Sequence, residues 1–258
     1  MITAGVDIGS VATKVVLLAD GKDVLAREIR PSGVTADTAA EEAFEKALAK
    51  AGLDEKGVAR VVATGYGRRR IDFSDRAVTE ISACAAGALW GEESTGRLLA
   101  VDLGGQDTKA ILLGPAGVED FVMNDKCAAG TGRFLEVMAH ALEVTVDDLG
   151  SLSGQARHPQ RINSTCAVFA ESEVISLLSH GAKVEDIVAG IHNAIAERIA
   201  AMAYGFGEVE KIVFCGGGAK NAGVQKALEQ VFDAPVAVPD HPQFLNAVGA
   251  ALIALEAA

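Results

Sequence analysis

The sequence predicts an α/β protein built from two copies of one domain plan, and three observations carry that reading. Strand-like stretches rich in Val, Ile and Leu alternate with helical ones along the chain. Half of the 258 residues are hydrophobic and only 5% are aromatic, a balance typical of Ala/Val/Gly-rich α/β proteins. The third observation is a repeat. Val6-Asp7-Ile8-Gly9-Ser10-Val11-Ala12-Thr13-Lys14 is echoed by Val101-Asp102-Leu103-Gly104-Gly105-Gln106-Asp107-Thr108-Lys109, at a constant offset of 95 residues. Leu17-Leu18 is echoed by Leu112-Leu113 at the same offset. Two copies at one-domain spacing mean two related domains, not a solenoid.

Taken in order, Thr3 to Ile8 and Lys14 to Leu18 read as a hairpin turning near Gly9-Ser10, and Val24 to Ile29 as a third strand after Asp20-Gly21. Thr38-Ala39-Ala40-Glu41 fits a capping box opening a helix that stops at Gly52. Val58 to Thr64 is a buried strand, followed by the loop Gly65-Tyr66-Gly67-Arg68-Arg69-Arg70, and Glu80 to Leu89 is a helix. The repeat then restarts. Helices are expected after Gly132 and Cys166 and from Val184 to Tyr204, where Ile187, Ile191, Ile195, Ile199 and Met202 form one apolar stripe. Lys211 to Cys215 is a strand, and Leu245 to Leu255 a small-residue helix returning to the first domain. The expected domains are 1–95, completed by 244–258, and 96–243.

Each repeat has the chemistry of a phosphate-gripping hairpin. A strand ends in Asp, a Gly admits an oxyanion to the backbone, and small or hydroxyl residues supply N–H and O–H donors. Asp7 and Asp102 are hard oxygen groups able to hold Mg²⁺ through water. One Asp-x-Gly at a strand end is a common turn; a matched pair is a far stronger signal. Gly216-Gly217-Gly218, after a buried strand, lets the backbone pass against a flat ligand such as a nucleoside. The chain has neither the P-loop nor the Rossmann glycine pattern.

Cysteine supplies the second chemistry. Cys127, in Asn124-Asp125-Lys126-Cys127-Ala128-Ala129-Gly130-Thr131-Gly132, is expected at or just before a helix N-terminus. Cys166 follows Asn163-Ser164-Thr165, where Ser164 or Thr165 would cap a second helix. Helix N-termini favour thiolates and anionic clusters. An isolated cysteine is most often a small core residue, and Cys84 and Cys215 read that way. Two similarly placed cysteines are half of what a [4Fe–4S] cluster needs, and a symmetric homodimer would supply the other half.

The net charge of −12 argues against nucleic-acid and anionic membrane surfaces. No apolar run reaches membrane-spanning length, no signal-peptide pattern opens the chain, and four cysteines do not form a secreted disulfide framework. The expected location is the cytoplasm. The five histidines show no metal-ligand spacing, and Arg68-Arg69-Arg70 reads as a solvated loop able to meet an acidic partner.

The paired Asp-x-Gly hairpins and the late glycine turn resemble the actin/hexokinase/Hsp70 superfamily of ATPases. Within it, Gly5-Val6-Asp7-Ile8-Gly9-Ser10, Thr64-Gly65-Tyr66-Gly67-Arg68, Val101-Asp102-Leu103-Gly104-Gly105-Gln106-Asp107, Lys126-Cys127-Ala128-Ala129-Gly130-Thr131-Gly132 and Phe214-Cys215-Gly216-Gly217-Gly218 resemble the BadF/BadG/BcrA/BcrD family over essentially the whole length. That family comprises ATP-dependent activators of 2-hydroxyacyl-CoA dehydratases. The resemblance implies a homodimer sharing one [4Fe–4S] cluster through Cys127 and Cys166 of each subunit. It also implies ATP-driven delivery of one low-potential electron, taken from reduced ferredoxin or flavodoxin, to a dehydratase or a related reductase.

For one electron, about 59 mV corresponds to about 1.4 kcal/mol, so a drop of a few hundred millivolts needs a coupled energy source. In this scheme Asp7 and Asp102 organise Mg²⁺, and Gly9, Ser10, Thr13, Lys14, Gly104 and Gly105 contact phosphates. Gln106 or Asp107 orients the attacking water, and Gly216, Gly217, Gly218 and Lys220 lie along the adenosine of ATP or ADP. A sugar or N-acetylhexosamine kinase of the same fold is the rival reading, and a non-catalytic actin-like module a third.

Overall fold

The computed structural model describes residues 1–33, 36–92, 96–163 and 166–256. The chain divides into two compact units, Met1–Glu93 with Gln243–Ala258, and Ser94–Pro242.

In the first unit, β1 (Ile2–Ile8), β2 (Ala12–Ala19) and β3 (Asp23–Pro31) form an antiparallel meander, and β4 (Arg60–Thr64) runs parallel beside β1. The sheet order is β3-β2-β1-β4-β5, β5 being the two-residue Arg76–Ala77. Side chains alternate across a strand, and here both faces are covered. Ala4, Val6 and Ile8 pack with Ala40, Ala43, Phe44 and Ala47 of α1 (Ala36–Ala51). On the other face Val62 packs with Ala83 of α2 (Glu80–Leu89) and with Ala250 and Ala254 of α8 (Leu245–Glu256). The two helices cross at van der Waals limit: a Cβ on Gly249 would sit 1.8 Å from the Ala83 carbonyl oxygen.

The second unit repeats the plan. β6 (Leu98–Leu103), β7 (Thr108–Gly114) and β8 (Gly117–Asn124) form the meander, and β9 (Lys211–Cys215) lies parallel to β6. With β10 (Val236–Ala237) the order is β10-β9-β6-β7-β8, the counterpart of the first sheet. Between β8 and β9 come α3 (Gly132–Ala141), α4 (Asp148–Ser153), α5 (Ala167–Ser179) and α6 (Val184–Met202), and α7 (Ala222–Phe232) follows β9. Val101, Leu103, Leu112 and Phe214 share one core with Phe134, Leu135, Ile187, Ile191, Ile195 and Leu228. Met202, expected on that stripe, is only half-buried.

One local expectation is corrected. α1 starts at Ala36, so Thr38 lies inside the helix and does not cap it; Asp37 in the first turn complements the helix dipole. β8 was not foreseen. It is an edge strand with most of its side chains in solvent, so it lacks the apolar alternation that announces a half-buried strand.

Candidate functional site

The 95-residue repeat is a repeat of geometry. Pairing within the meanders sets Asp7 opposite Lys14 and Ile8 opposite Thr13, and likewise Asp102 opposite Lys109 and Leu103 opposite Thr108. Each turn is closed alike, the Gly9 N–H donating to the Ala12 carbonyl at 3.2 Å and the Gly104 N–H to the Asp107 carbonyl at 2.9 Å. Lys14 Nζ lies 3.0 Å from Asp7 Oδ2. Lys109 Nζ lies 2.8 Å from Asp107 Oδ2 and 3.6 Å from Asp102 Oδ2, and this lysine is only 1% exposed.

The predicted contact residues divide by orientation. Ser10 and Gln106 stand in solvent at the turn tips, and Gly9, Gly104 and Gly105 are half-buried. Thr13 is fully buried. Its hydroxyl is 3.0 Å from Ser32 Oγ, and that Oγ donates to the Gly9 carbonyl at 2.7 Å, so Thr13 and Ser32 brace the first turn from behind. Asp107 is 6% exposed, held by Lys109, and its Oδ1 would lie 2.6 Å from a Cβ on Gly104.

A second duplication, unseen in the sequence, completes each half. Across the parallel strands Asp7 pairs with Thr64 and Asp102 with Cys215. The next residues, Gly65 and Gly216, have φ of +90° and +83°. A Cβ on Gly67 would meet Ile8 Cγ2 at 2.3 Å, and one on Gly218 would meet Leu103 Cδ2 at 1.7 Å. Thr64-Gly65-Tyr66-Gly67 and Cys215-Gly216-Gly217-Gly218 are thus one motif used twice. The shared Gly-x-Gly spacing after a strand was the available signal. Gly217 and Lys220 are exposed in the short turn Gly217–Lys220. Behind it Asn221 caps α7, its Oδ1 accepting from the Gly223 and Val224 N–H groups, while its Nδ2 lies 3.1 Å from His192 Nε2. Burial pushes the His192 imidazole down to about 4. Neither His192 nor Asn221 was singled out in the sequence, because their roles exist only in the tertiary contact.

None of the four cysteines forms a disulfide; Cys84 and Cys215 are fully buried, and Cys127 and Cys166 are half-buried. Both half-buried thiols belong to the second unit. α3 begins at Gly132, so Cys127 lies five residues ahead of it in a loop rather than at its first turn. Cys166 is itself the N-cap residue of α5, with extended backbone. The expected capping residues Ser164 and Thr165 lie outside the described residues. Beyond Cys166, Val168 and Phe169 are 64% and 65% exposed and Ile175 is 50% exposed. Among the described residues no group of three or more His, Cys, Asp or Glu side chains is gathered to hold a metal ion. No helix among them is long and apolar enough to cross a membrane.

This duplicated sheet architecture is that of the actin-like ATPases and the sugar kinases of the same fold. A Streptomyces griseus glucokinase of the ROK family shares it at a TM-score of 0.61 over 99% of this chain and 100% of its own, with 15% identity, a likeness of fold alone. The chain belongs to the BadF/BadG/BcrA/BcrD ATPase family, whose model matches residues 4–254. It is 46% identical to the activator of lactoyl-CoA dehydratase of Anaerotignum propionicum, over 100% of this chain and 99% of that protein. Component A of the Acidaminococcus fermentans (R)-2-hydroxyglutaryl-CoA dehydratase superposes with a TM-score of 0.94 at 40% identity, over 100% of this chain and 98% of that one. The activator of the 2-hydroxyisocaproyl-CoA dehydratase from Clostridium difficile, solved with bound ADPNP, gives 0.92 at 44% identity, over 100% and 95%.

Proposed function

We propose that this protein is an ATP-hydrolysing, homodimeric iron–sulfur activator that passes one low-potential electron to a 2-hydroxyacyl-CoA dehydratase or a related reductase component. The observation that carries the reading is the pairing of two matched Asp–Lys hairpins with two half-buried thiols on one unit. The relatives named as dehydratase activators support it at full length.

ATP is the substrate of the hairpins. Gly9, Ser10, Lys14, Gly104 and Gly105 supply phosphate contacts, with Thr13 bracing the first turn. Asp7 and Asp102 would hold Mg²⁺ through water, their carboxylates being hard oxygen donors at strand ends. Gln106, exposed at its tip, orients the attacking water, whereas Asp107 is committed to Lys109 and shapes the turn. Gly216, Gly217, Gly218 and Lys220 line the adenosine.

Cys127 and Cys166 fit a [4Fe–4S] cluster in chemistry and number. They are two accessible soft donors per chain, and a second copy of the chain supplies the remaining two. The exposed Val168, Phe169 and Ile175 on α5, the helix that Cys166 opens, give that dimer an apolar surface to bury. When bound, the cluster supplies a one-electron redox couple. The proposed electron donor is reduced ferredoxin or flavodoxin, and the proposed location is the cytoplasm.

Iron and acid-labile sulfide on protein purified without oxygen test the reading. About four of each per dimer is expected, with loss of both in the Cys127→Ser/Cys166→Ser double variant. An iron-free wild type that reconstitution cannot fill overturns the electron-transfer role.

A further inference from the structure

The second phosphate turn and the Cys127 loop are joined by a continuous set of hydrogen bonds. Four successive carbonyls of that loop are taken. Asn124 Nδ2 donates to the carbonyls of Cys127 at 2.9 Å and Ala129 at 3.0 Å. Thr131 Oγ1 donates to the Ala128 carbonyl at 2.7 Å, and Thr108 Oγ1 to the Gly130 carbonyl at 2.6 Å. Thr108 and Asn124 face each other across β7 and β8, so one rung of the sheet grips the loop from both strands. Immediately after the loop, the Gly132 N–H donates to the Gly104 carbonyl and the Arg133 N–H to the Gly105 carbonyl, each at 2.8 Å.

Those two N–H groups open α3, where a helix has no internal acceptors for its first donors. The phosphate turn therefore serves as the helix's cap, in place of the Thr131 side chain, which makes no capping bond. The contact has little slack: a Cβ on Gly132 would lie 3.0 Å from the Gly104 oxygen and 3.2 Å from the Gly105 Cα.

Peptide planarity makes this junction directional. The Gly104 carbonyl and the Gly105 N–H share one rigid plane, and the Gly105 carbonyl shares another with the Gln106 N–H. A phosphate drawn to either N–H tilts the plane whose opposite end is held by Gly132 or Arg133. We infer that Gly132 and Thr108 are positioning residues that transmit ligand occupancy of the Gly104–Gly105 turn to Cys127. The inference rests on the proposed reading of that turn as a phosphate contact, and it assigns the link to residues that touch neither phosphate nor metal.

The test reads the thiol. The rate at which N-ethylmaleimide labels Cys127 is measured by peptide mass spectrometry on the iron-free full-length chain. It is compared without nucleotide, with ADP and with a non-hydrolysable ATP analogue, while calorimetry reports analogue affinity and the Cys166 peptide provides an internal comparison. In the wild type the analogue is expected to change the Cys127 rate about fivefold or more, the lower end of ordinary coupling between sites. Gly132→Ala and Thr108→Val are expected to bind the analogue and lose that response, and Thr108→Ser, which restores the hydroxyl, to recover it. Responses in Thr108→Val and Gly132→Ala equal to the wild type overturn the inference, as does a wild type that binds the analogue with no change at Cys127. If Gly132→Ala fails to fold, the Thr108→Val and Thr108→Ser pair decides. A wild type that binds no nucleotide removes the ATPase reading itself, a separate outcome seen in the calorimetry.

Discussion

Gly65 and Gly216 hold the same position in the two halves of the chain: each follows the residue paired with a strand-end aspartate, at positive φ. A Cβ on Gly65 would lie 2.5 Å from the Ile8 carbonyl oxygen and 2.7 Å from Asp7 Oδ1. On Gly216 it would lie 2.5 Å from the Leu103 carbonyl oxygen and 2.4 Å from Asp102 Oδ1. The first prediction compares these sites with Gly52, which has φ of +67° and nothing within 4 Å of a Cβ. Gly52→Ala is expected to cost about 1–2 kcal/mol, the left-handed backbone penalty alone. Gly216→Ala is expected to cost on the order of 4 kcal/mol, in the range of backbone clash plus strain. Urea midpoints of the two variants check the ranking.

The second prediction concerns Lys109, whose ammonium serves the buried carboxylates of Asp102 and Asp107. Lys109→Met removes the cation and leaves both acids in place. Breaking a buried ion pair from one side costs about 3–5 kcal/mol, and urea unfolding should show a loss of that size. Lys14→Met, whose partner pair is less enclosed, should lose less.

How much of this was legible in the sequence differs from element to element. The hairpin repeat was readable because Asp, Gly and Lys keep their places at both strand ends. α2 was readable to the residue, and the structure adds Thr79 at its start, whose Oγ1 accepts the Ser82 N–H. The distance from Cys127 to α3 was not, since Gly130-Thr131 make a further turn before the helix opens. Ser32, Asn221 and His192 were silent because each acts through a partner far along the chain.

The third prediction follows from His192. Burial holds it neutral in the fold, with a pKa of about 4, against about 6.5 when unfolded. Between those values the unfolded chain binds the extra proton. Stability therefore rises with pH through this window, is complete above about pH 6.5, and is lost as pH falls toward 4. The contribution is on the order of 3 kcal/mol. Unfolding curves from pH 4 to 7 should be flatter in His192→Gln.

A fourth prediction separates the two chemistries. Asp102→Asn should reduce ATP turnover by about 100-fold or more, a loss typical for a group that organises charge in the transition state. Iron content should be unchanged, because Asp102 is not among the proposed cluster ligands. Loss of iron in that variant would contradict the division of labour between hairpins and cysteines.

The most direct measurement of the central claim is electron delivery. The reduced protein is mixed without oxygen with ATP and a 2-hydroxyacyl-CoA dehydratase component, and dehydratase activation is followed beside phosphate release. The account predicts activation that requires ATP hydrolysis, is absent with a non-hydrolysable analogue, and is absent in the Cys127→Ser/Cys166→Ser variant. ATP consumption that depends on an added sugar, with no activation and no dependence on the two cysteines, would contradict it.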